Sequence, residues 1–183
     1  MTQLRFTIAQ QVFDAFPTLQ NIVTKKPTDI EPIAYMRSLI NSDAPEQALS
    51  FCAYLLPKRD AVRWLCQLLY LPSITLLPSD DAILKSAEEW VRSPNESNRI
   101  AALAEGMADR DKRPAAWAAI AAGWSGGNIS SDEKHPVPPP VHLTAHGVTV
   151  GLNLLVSPID KQLQAEKIEE YIGHAIRMLK QEK

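Results

Sequence analysis

The stretch Arg113–Gly147, RPAAWAAIAAGWSGGNISSDEKHPVPPPVHLTAHG, decides how this sequence folds. It opens with a proline and an alanine-rich run, which is typical of an α-helix because alanine has the highest helix propensity and proline suits the first turn. A tryptophan, a glycine pair, a polar loop and three consecutive prolines follow, and then a second helix starts. The stretch therefore predicts two helices joined by a long irregular connection.

The rest of the chain repeats this pattern of helices that begin behind a proline or a capping residue. The segment Ser93-Pro94-Asn95-Glu96 predicts a capping box, in which Ser93 is the N-cap and Glu96 reaches back to its amide. Ser79, before two aspartates, predicts another N-cap. The predicted helices cover residues 7–16, 18–24, 31–41, 45–55, 57–71, 80–91, 94–108, 114–124, 142–156 and 159–181.

Because alternation of apolar and polar residues never persists, the sequence predicts an all-α fold. We expect an irregular multi-helix bundle or a HEAT-like array of helical hairpins, with about 8–9 helices. Residues 1–157 are interpreted as one helical domain and residues 158–183 as a C-terminal amphipathic helix. That helix either packs on the domain or forms a homo-oligomer through residues 159–181.

Composition restricts the class of function. The net charge of −2 over 183 residues gives no basic footprint for nucleic acid. The longest apolar run, Ala115–Trp124, is about half of a membrane span, and the N-terminus lacks the pattern of a signal peptide. Cys52 and Cys66 lie in apolar helical patterns, as buried thiols of a reducing compartment do. We therefore expect a cytoplasmic protein with no cofactor.

The pentapeptide Gly123-Trp124-Ser125-Gly126-Gly127 matches the G-x-S-x-G pattern of serine hydrolases. In those enzymes the serine follows a strand and precedes a helix, whereas here a predicted helix precedes it and a polar loop follows. We expect Gly126 or Gly127 to end the helix in the left-handed conformation. A small hydrolase that uses Ser125 stays as an alternative.

Two other groups of residues suggest ligands. His142 and His146 share a helix face, so a metal- or ligand-binding module is a further alternative, although the H-E-x-x-H glutamate is missing. Lys58, Arg59 and Arg63 lie at the start of a predicted helix, where positive charge is unfavourable. They could hold an anion or an acidic partner, or else pair locally and face solvent.

Four tryptophans lie on amphipathic helices, which favours a role in the core. They are Trp64, Trp90, Trp117 and Trp124. An aromatic groove for a polyproline ligand is the other possibility. The run Pro138-Pro139-Pro140 itself predicts an extended polyproline II segment, which is stiff and loses little order when it docks.

The chain resembles a group of small bacterial proteins classified only as a domain of unknown function. The shared patterns are A-x-x-F-x-A-Y-L-L-P-K-R-D-A-V-R-W-L-C from Ala48, then E-W-V, A-A-W-A-A, W-S-G-G and P-P-P-V-H-L-T-A. They cover about Gln47 to Val156, which leaves out the N-terminal 40 residues and the last helix. The resemblance implies no activity or catalytic residue, but it implies that some relatives lie near secretion-system genes.

These observations together predict a non-enzymatic helical adaptor that binds another protein, accessory to a bacterial secretion system. The expected surfaces are the loop 126–140 and the basic helix start. The candidate interaction residues are Lys58, Arg59, Arg63, Trp124, Ser125, Gly126, Gly127, Pro138, Pro139, Pro140 and His142.

Overall fold

The computed structural model describes residues 5–130 and 134–181, and the regular structure within these ranges is helical. The prediction of an all-α fold is confirmed, since the described residues form nine α-helices, one 3₁₀ turn and no strand. The helices are α1 (Ala9–Ala15), α2 (Pro32–Ile40), α3 (Gln47–Leu55), α4 (Lys58–Leu69), α5 (Pro78–Arg92), α6 (Glu96–Ala108), α7 (Pro114–Gly123), α8 (Leu143–Val156) and α9 (Lys161–Gln181), and the 3₁₀ turn is Pro17–Asn21.

Two predicted helix caps are wrong in detail. The N-cap of α6 is Asn95, whose side chain accepts a hydrogen bond from the Asn98 N–H at 2.9 Å, so the predicted Ser93 box does not form. Asparagine caps as well as serine does, and Pro94 precedes the helix. In α5 the Asp80 carboxylate accepts from the Leu77 N–H at 2.8 Å. That helix therefore begins one residue before Ser79.

The chain divides into two compact units, Met1–Pro57 with Leu152–Lys183, and Lys58–Gly151. The first unit is built on aromatic side chains. The ring of Tyr35 on α2 lies 4.7 Å from that of Phe51 on α3, and both rings lie 5.9 Å from Phe13 on α1. The Tyr35 hydroxyl donates to the Lys25 carbonyl oxygen at 2.5 Å, so its buried polar end is satisfied.

Helix α9 belongs to this first unit. The same unit includes Met1–Pro57, which lies on the other side of the domain boundary predicted at residue 157. It packs against α3 and α2 through its apolar side. The buried residues of that side are Ile168, Tyr171, Ile172, Ala175 and Met178. This is the packing expected if the helix docks on its own chain. A homo-oligomer through residues 159–181 stays a prediction and would use the remaining face, where Leu163 is exposed.

The second unit is arranged around α7, which contacts α4, α5 and α6. Every described residue of α7 from Ala115 to Gly123 except Trp117 is buried. A Cβ on Gly106 of α6 would lie 2.7 Å from the Ala116 carbonyl oxygen, so only glycine allows this close approach. Because α4–α5 and α6–α7 are successive helix pairs, these contacts agree with a bundle and with an array of helical hairpins alike.

Candidate functional site

The second unit contains all of the predicted site residues. Among them, Trp124–Gly127 form a segment that we term the W-S-G-G turn. Helix α7 ends at Gly123, and the Trp124 N–H donates to the Ile120 carbonyl oxygen at 2.9 Å. The Ser125 N–H then donates to the Ala122 carbonyl oxygen at 3.1 Å. The serine thus follows an α-helix and is half-buried, and this context is not the strand–turn–helix of a hydrolase.

An arginine that the sequence analysis did not single out holds this turn. Arg99 on α6 is 5% exposed, and its Nη1 donates to the Gly123 carbonyl oxygen at 2.6 Å. Its other nitrogens donate to the Glu96 carboxylate at 2.8 and 2.6 Å. These hydrogen bonds raise the pKa of Arg99, and they lower the pKa of Glu96. A fixed positive charge therefore lies at the negative end of α7.

The guanidinium also explains the second glycine of the turn. Gly127 has a φ of +70°, and a Cβ there would lie 2.4 Å from Arg99 Nη2. The prediction of a left-handed glycine is thus confirmed for Gly127. Its expected place at the helix end is wrong, because α7 already ends at Gly123 and the carbonyl of that residue is satisfied by Arg99. Arginine performs the capping that was assigned to glycine.

Basic residues at the start of α4 also donate hydrogen bonds to main-chain carbonyl oxygens. Lys58 Nζ donates to the Ser125 carbonyl oxygen at 2.7 Å, and partial desolvation lowers the pKa of this lysine. Arg59 Nε donates to the Val91 carbonyl oxygen at 2.5 Å, at the end of α5. Two of the three predicted cations therefore stabilise main-chain carbonyls of other elements. The third, Arg63, is half-buried one turn further along α4.

Asn128 closes the loop that follows the W-S-G-G turn. Its side-chain oxygen accepts from the Ser130 N–H at 2.9 Å and from the Val137 N–H at 2.7 Å. The Ile129 N–H donates to the Val137 carbonyl oxygen at 2.9 Å, which completes the closure. Residues 131–133 of the predicted loop surface lie outside the described residues. The loop is thus tied at its base, directly before the prolines.

The proline run is held away from the core. Pro138 and Pro140 are exposed and Pro139 is half-buried. The flanking valines are also exposed, 49% for Val137 and 63% for Val141. We term residues 137–141 the proline segment. It presents apolar side chains to solvent at four of its five residues, Val137, Pro138, Pro140 and Val141.

The tryptophans fall into two groups. Trp64 and Trp90 are buried in the core of the second unit, as expected from their helix faces. Trp117 and Trp124 are half-buried and form an edge-to-face pair with ring centroids 6.1 Å apart. Trp124 is the first residue of the W-S-G-G turn, so this ring contact packs the turn against α7.

The two histidines lie one helical turn apart at the start of α8. The His146 N–H donates to the His142 carbonyl oxygen at 2.9 Å. Desolvation and the neighbouring His142 lower the pKa of His146. Across the described ranges, 5–130 and 134–181, no three His, Cys, Asp or Glu side chains gather where a metal could bind.

Two residues of this site were missed by the sequence analysis, Arg99 and Asn128. A signal existed for the first, since Arg99, Ala102 and Gly106 follow helical spacing and form the inner face of α6. A charge on an otherwise small and apolar inner face points to a buried partner. No comparable signal marks Asn128, because its second partner, Val137, lies nine residues away.

Comparisons with known proteins give one family. No curated protein and no solved structure matches the chain. Among the described residues, no helix is both long and apolar enough to cross a membrane. A family of unknown function (DUF6931) matches residues 35–179, and it therefore extends beyond the sequence resemblance to include most of α9. The chain belongs to this family of unknown function, DUF6931.

Proposed function

We propose that this protein is a non-enzymatic adaptor that binds a partner protein through the proline segment. The observation that carries the proposal is an exposed apolar segment anchored immediately before its prolines by Asn128. Scattered apolar residues are normal on protein surfaces, whereas a contiguous patch marks an interaction site. The hydrogen bond from the Val137 N–H to the Asn128 side chain fixes the position at which the proline segment begins.

The chemistry of the segment indicates what kind of partner it fits. Proline fixes φ and favours polyproline II, so the segment loses little conformational freedom on binding. Prolines carry no N–H, and their carbonyl oxygens are strong acceptors. Grooves lined by aromatic side chains with a hydrogen-bond donor recognise such segments. We therefore expect the partner to present an aromatic groove.

The test is affinity capture from cell extract, with the wild type and two variants compared quantitatively. We expect Val141→Asp to remove a stoichiometric partner, because a carboxylate in an apolar contact must be desolvated without a partner charge. Ile100→Asp is the matched control, since that isoleucine is 53% exposed on α6, outside the proline segment. A partner retained by Val141→Asp, or the lack of any stoichiometric partner, would contradict the proposal.

A separate measurement addresses the non-enzymatic part. A fluorophosphonate probe reacts with activated serines, and we expect no labelling of Ser125 because its position after α7 does not build a nucleophile elbow. Labelling that disappears in Ser125→Ala would establish the hydrolase alternative in place of the adaptor.

We further propose a setting in the bacterial cytoplasm, as an accessory to a secretion system. Two features support it, the resemblance to proteins encoded near secretion genes and two buried free thiols, Cys52 and Cys66, which suit a reducing compartment. Deletion of the gene should reduce secretion of the substrates of that system, and the Val141→Asp variant should fail to restore it. Normal secretion in the deletion strain would contradict this setting.

A further inference from the structure

A basic cleft lies between α4 and α5, within the second unit and separate from the proline segment. Its volume is about 300 Å³, and it is lined by Arg59, Arg63, Cys66, Gln67, Glu88, Val91 and Arg92. Three guanidinium groups and one carboxylate line the cleft, and Glu89 pairs with Arg92 from outside the lining, so these groups together carry a net charge of one positive. A protein whose overall net charge is −2 therefore concentrates positive charge in one concave place.

Arg59 is held in this cleft by main-chain atoms. Its Nε donates to the Val91 carbonyl oxygen at 2.5 Å, and its Nη2 lies 3.5 Å from the Arg92 carbonyl oxygen. These carbonyls form the negative end of α5, which would otherwise repel an anion. Because Arg59 covers them, the helix end no longer opposes anion binding, and the guanidinium is ordered before any ligand arrives.

Two other charged residues of the lining, Arg92 and Glu88, affect the affinity for an anion in opposite directions. Arg92 Nη2 pairs with Glu89 at 3.0 Å, but both side chains are more than half exposed, so this pair is weak and readily exchanged. Glu88 accepts a hydrogen bond from the Tyr70 hydroxyl at 3.1 Å. Its carboxylate is the one acidic group in the lining and would repel an incoming anion.

We propose that this cleft binds a phosphate group. A phosphate dianion gains about twice the Coulomb energy of a carboxylate from the same positive groups, and its tetrahedral oxygens can accept N–H donors from both α4 and α5. Guanidinium groups recognise tetrahedral oxyanions through paired N–H donors, and the amide of Gln67 adds a neutral donor. The phosphate group belongs either to a small molecule or to a phosphorylated side chain. The proposal does not rest on the proline segment, so the two can fail separately.

The test is titration of the ¹⁵N-labelled full chain with inorganic phosphate at about pH 7.5, where phosphate is largely dianionic, with chloride keeping the ionic strength constant. We expect saturable shifts of amides in α4 and in the second half of α5. Arg92→Gln should weaken binding about three- to five-fold, as expected for an exposed charge contact. Glu88→Gln should tighten it about two- to five-fold, because a repulsive charge is removed.

Lys85→Gln is the matched control, since it removes one exposed positive charge from the same helix outside the lining. Equal weakening by Lys85→Gln and Arg92→Gln would show general surface attraction and overturn the proposal. So would the absence of saturation, weaker binding by Glu88→Gln, or acetate binding as tightly as phosphate. Phosphoserine as a second probe distinguishes the sources: tighter binding than inorganic phosphate indicates a phosphorylated side chain, and equal binding indicates free phosphate.

Discussion

Replacement of Arg99 by alanine tests whether a buried guanidinium holds the W-S-G-G turn. The variant removes the hydrogen bond from Nη1 to the Gly123 carbonyl oxygen, which lies in the core of the second unit. A hydrogen bond from a charged group to a buried acceptor contributes about 1.5–3 kcal/mol. Removal of the buried side-chain stem leaves a space that costs about 1 kcal/mol more. The lost pair with Glu96 adds little, because that carboxylate is 60% exposed.

We therefore expect Arg99→Ala to lower the free energy of unfolding of the protein by about 3 kcal/mol. In a chain of this length that corresponds to a fall in Tm of about 6–12 °C. Tryptophan fluorescence during urea unfolding measures this change, because all four tryptophans lie in Lys58–Gly151. Amide exchange at Trp124 and Ser125 should accelerate in the variant, since both N–H groups belong to the turn.

The chain supplies a matched control for this experiment. Arg92 pairs with Glu89 at the same i, i+3 spacing as Arg99 pairs with Glu96, but Arg92 is 70% exposed and Arg99 is 5% exposed. Arg92→Ala should change the free energy of unfolding by less than about 0.5 kcal/mol. If both variants lose the same stability, or if exchange at the turn is unchanged in Arg99→Ala, the assigned role of Arg99 is refuted.

Three further predictions concern the same unit and the buried thiols. Gly123→Ala should lower the free energy of unfolding in urea by about 1–3 kcal/mol, because its Cβ would lie 2.5 Å from a side-chain carbon of α6. Gly126→Ala is the control and should change it by less than about 0.5 kcal/mol, because a Cβ there has nothing within 4 Å. Equal losses in the two variants would contradict the packing. His146 should titrate by NMR below its ordinary pKa of 6.5, and His142→Gln should raise that pKa. Because the folded pKa is lowered, the contribution of His146 to stability is present above pH 6.5 and is lost as the pH falls through the lowered value, and titration at 6.5 or above would refute the shift. Burial raises the pKa of both cysteine thiols, so a disulfide reagent should label neither in the native protein and both after denaturation; rapid native labelling would show that the core opens.

The helices of this chain could be predicted because their signals are local. Proline in the first turn, alanine-rich runs and apolar spacing lie within about four residues of the feature that they specify. The starts at Pro114 and near Pro57 were therefore placed within a residue or two. The wrong capping box shows the limit, because Ser93 and Asn95 are both good caps and only the path of the connection selects one.

The roles of the charged residues could not be predicted in the same way. Lys58 donates a hydrogen bond to the carbonyl oxygen of Ser125, which lies 67 residues away in the sequence. Arg99 donates to the carbonyl oxygen of Gly123, which lies 24 residues away. Such pairs form only when helices that are distant in sequence come into contact. The sequence showed that a positive charge at the start of α4 is locally unfavourable, and it left the compensating partner open. In the structure, main-chain carbonyl oxygens at or just after the ends of other helices compensate this positive charge.

By itself the sequence determined the all-α class, the order of the helices and the family, because these depend on local propensity and on patterns carried within the chain. Only the tertiary structure decided what holds the W-S-G-G turn in place. Its pentapeptide matches a catalytic signature, yet the turn follows a helix and is held by two cations on other helices. The physical reason is that a motif specifies residue types, whereas reactivity and capping depend on which groups the packing of helices brings within hydrogen-bond distance.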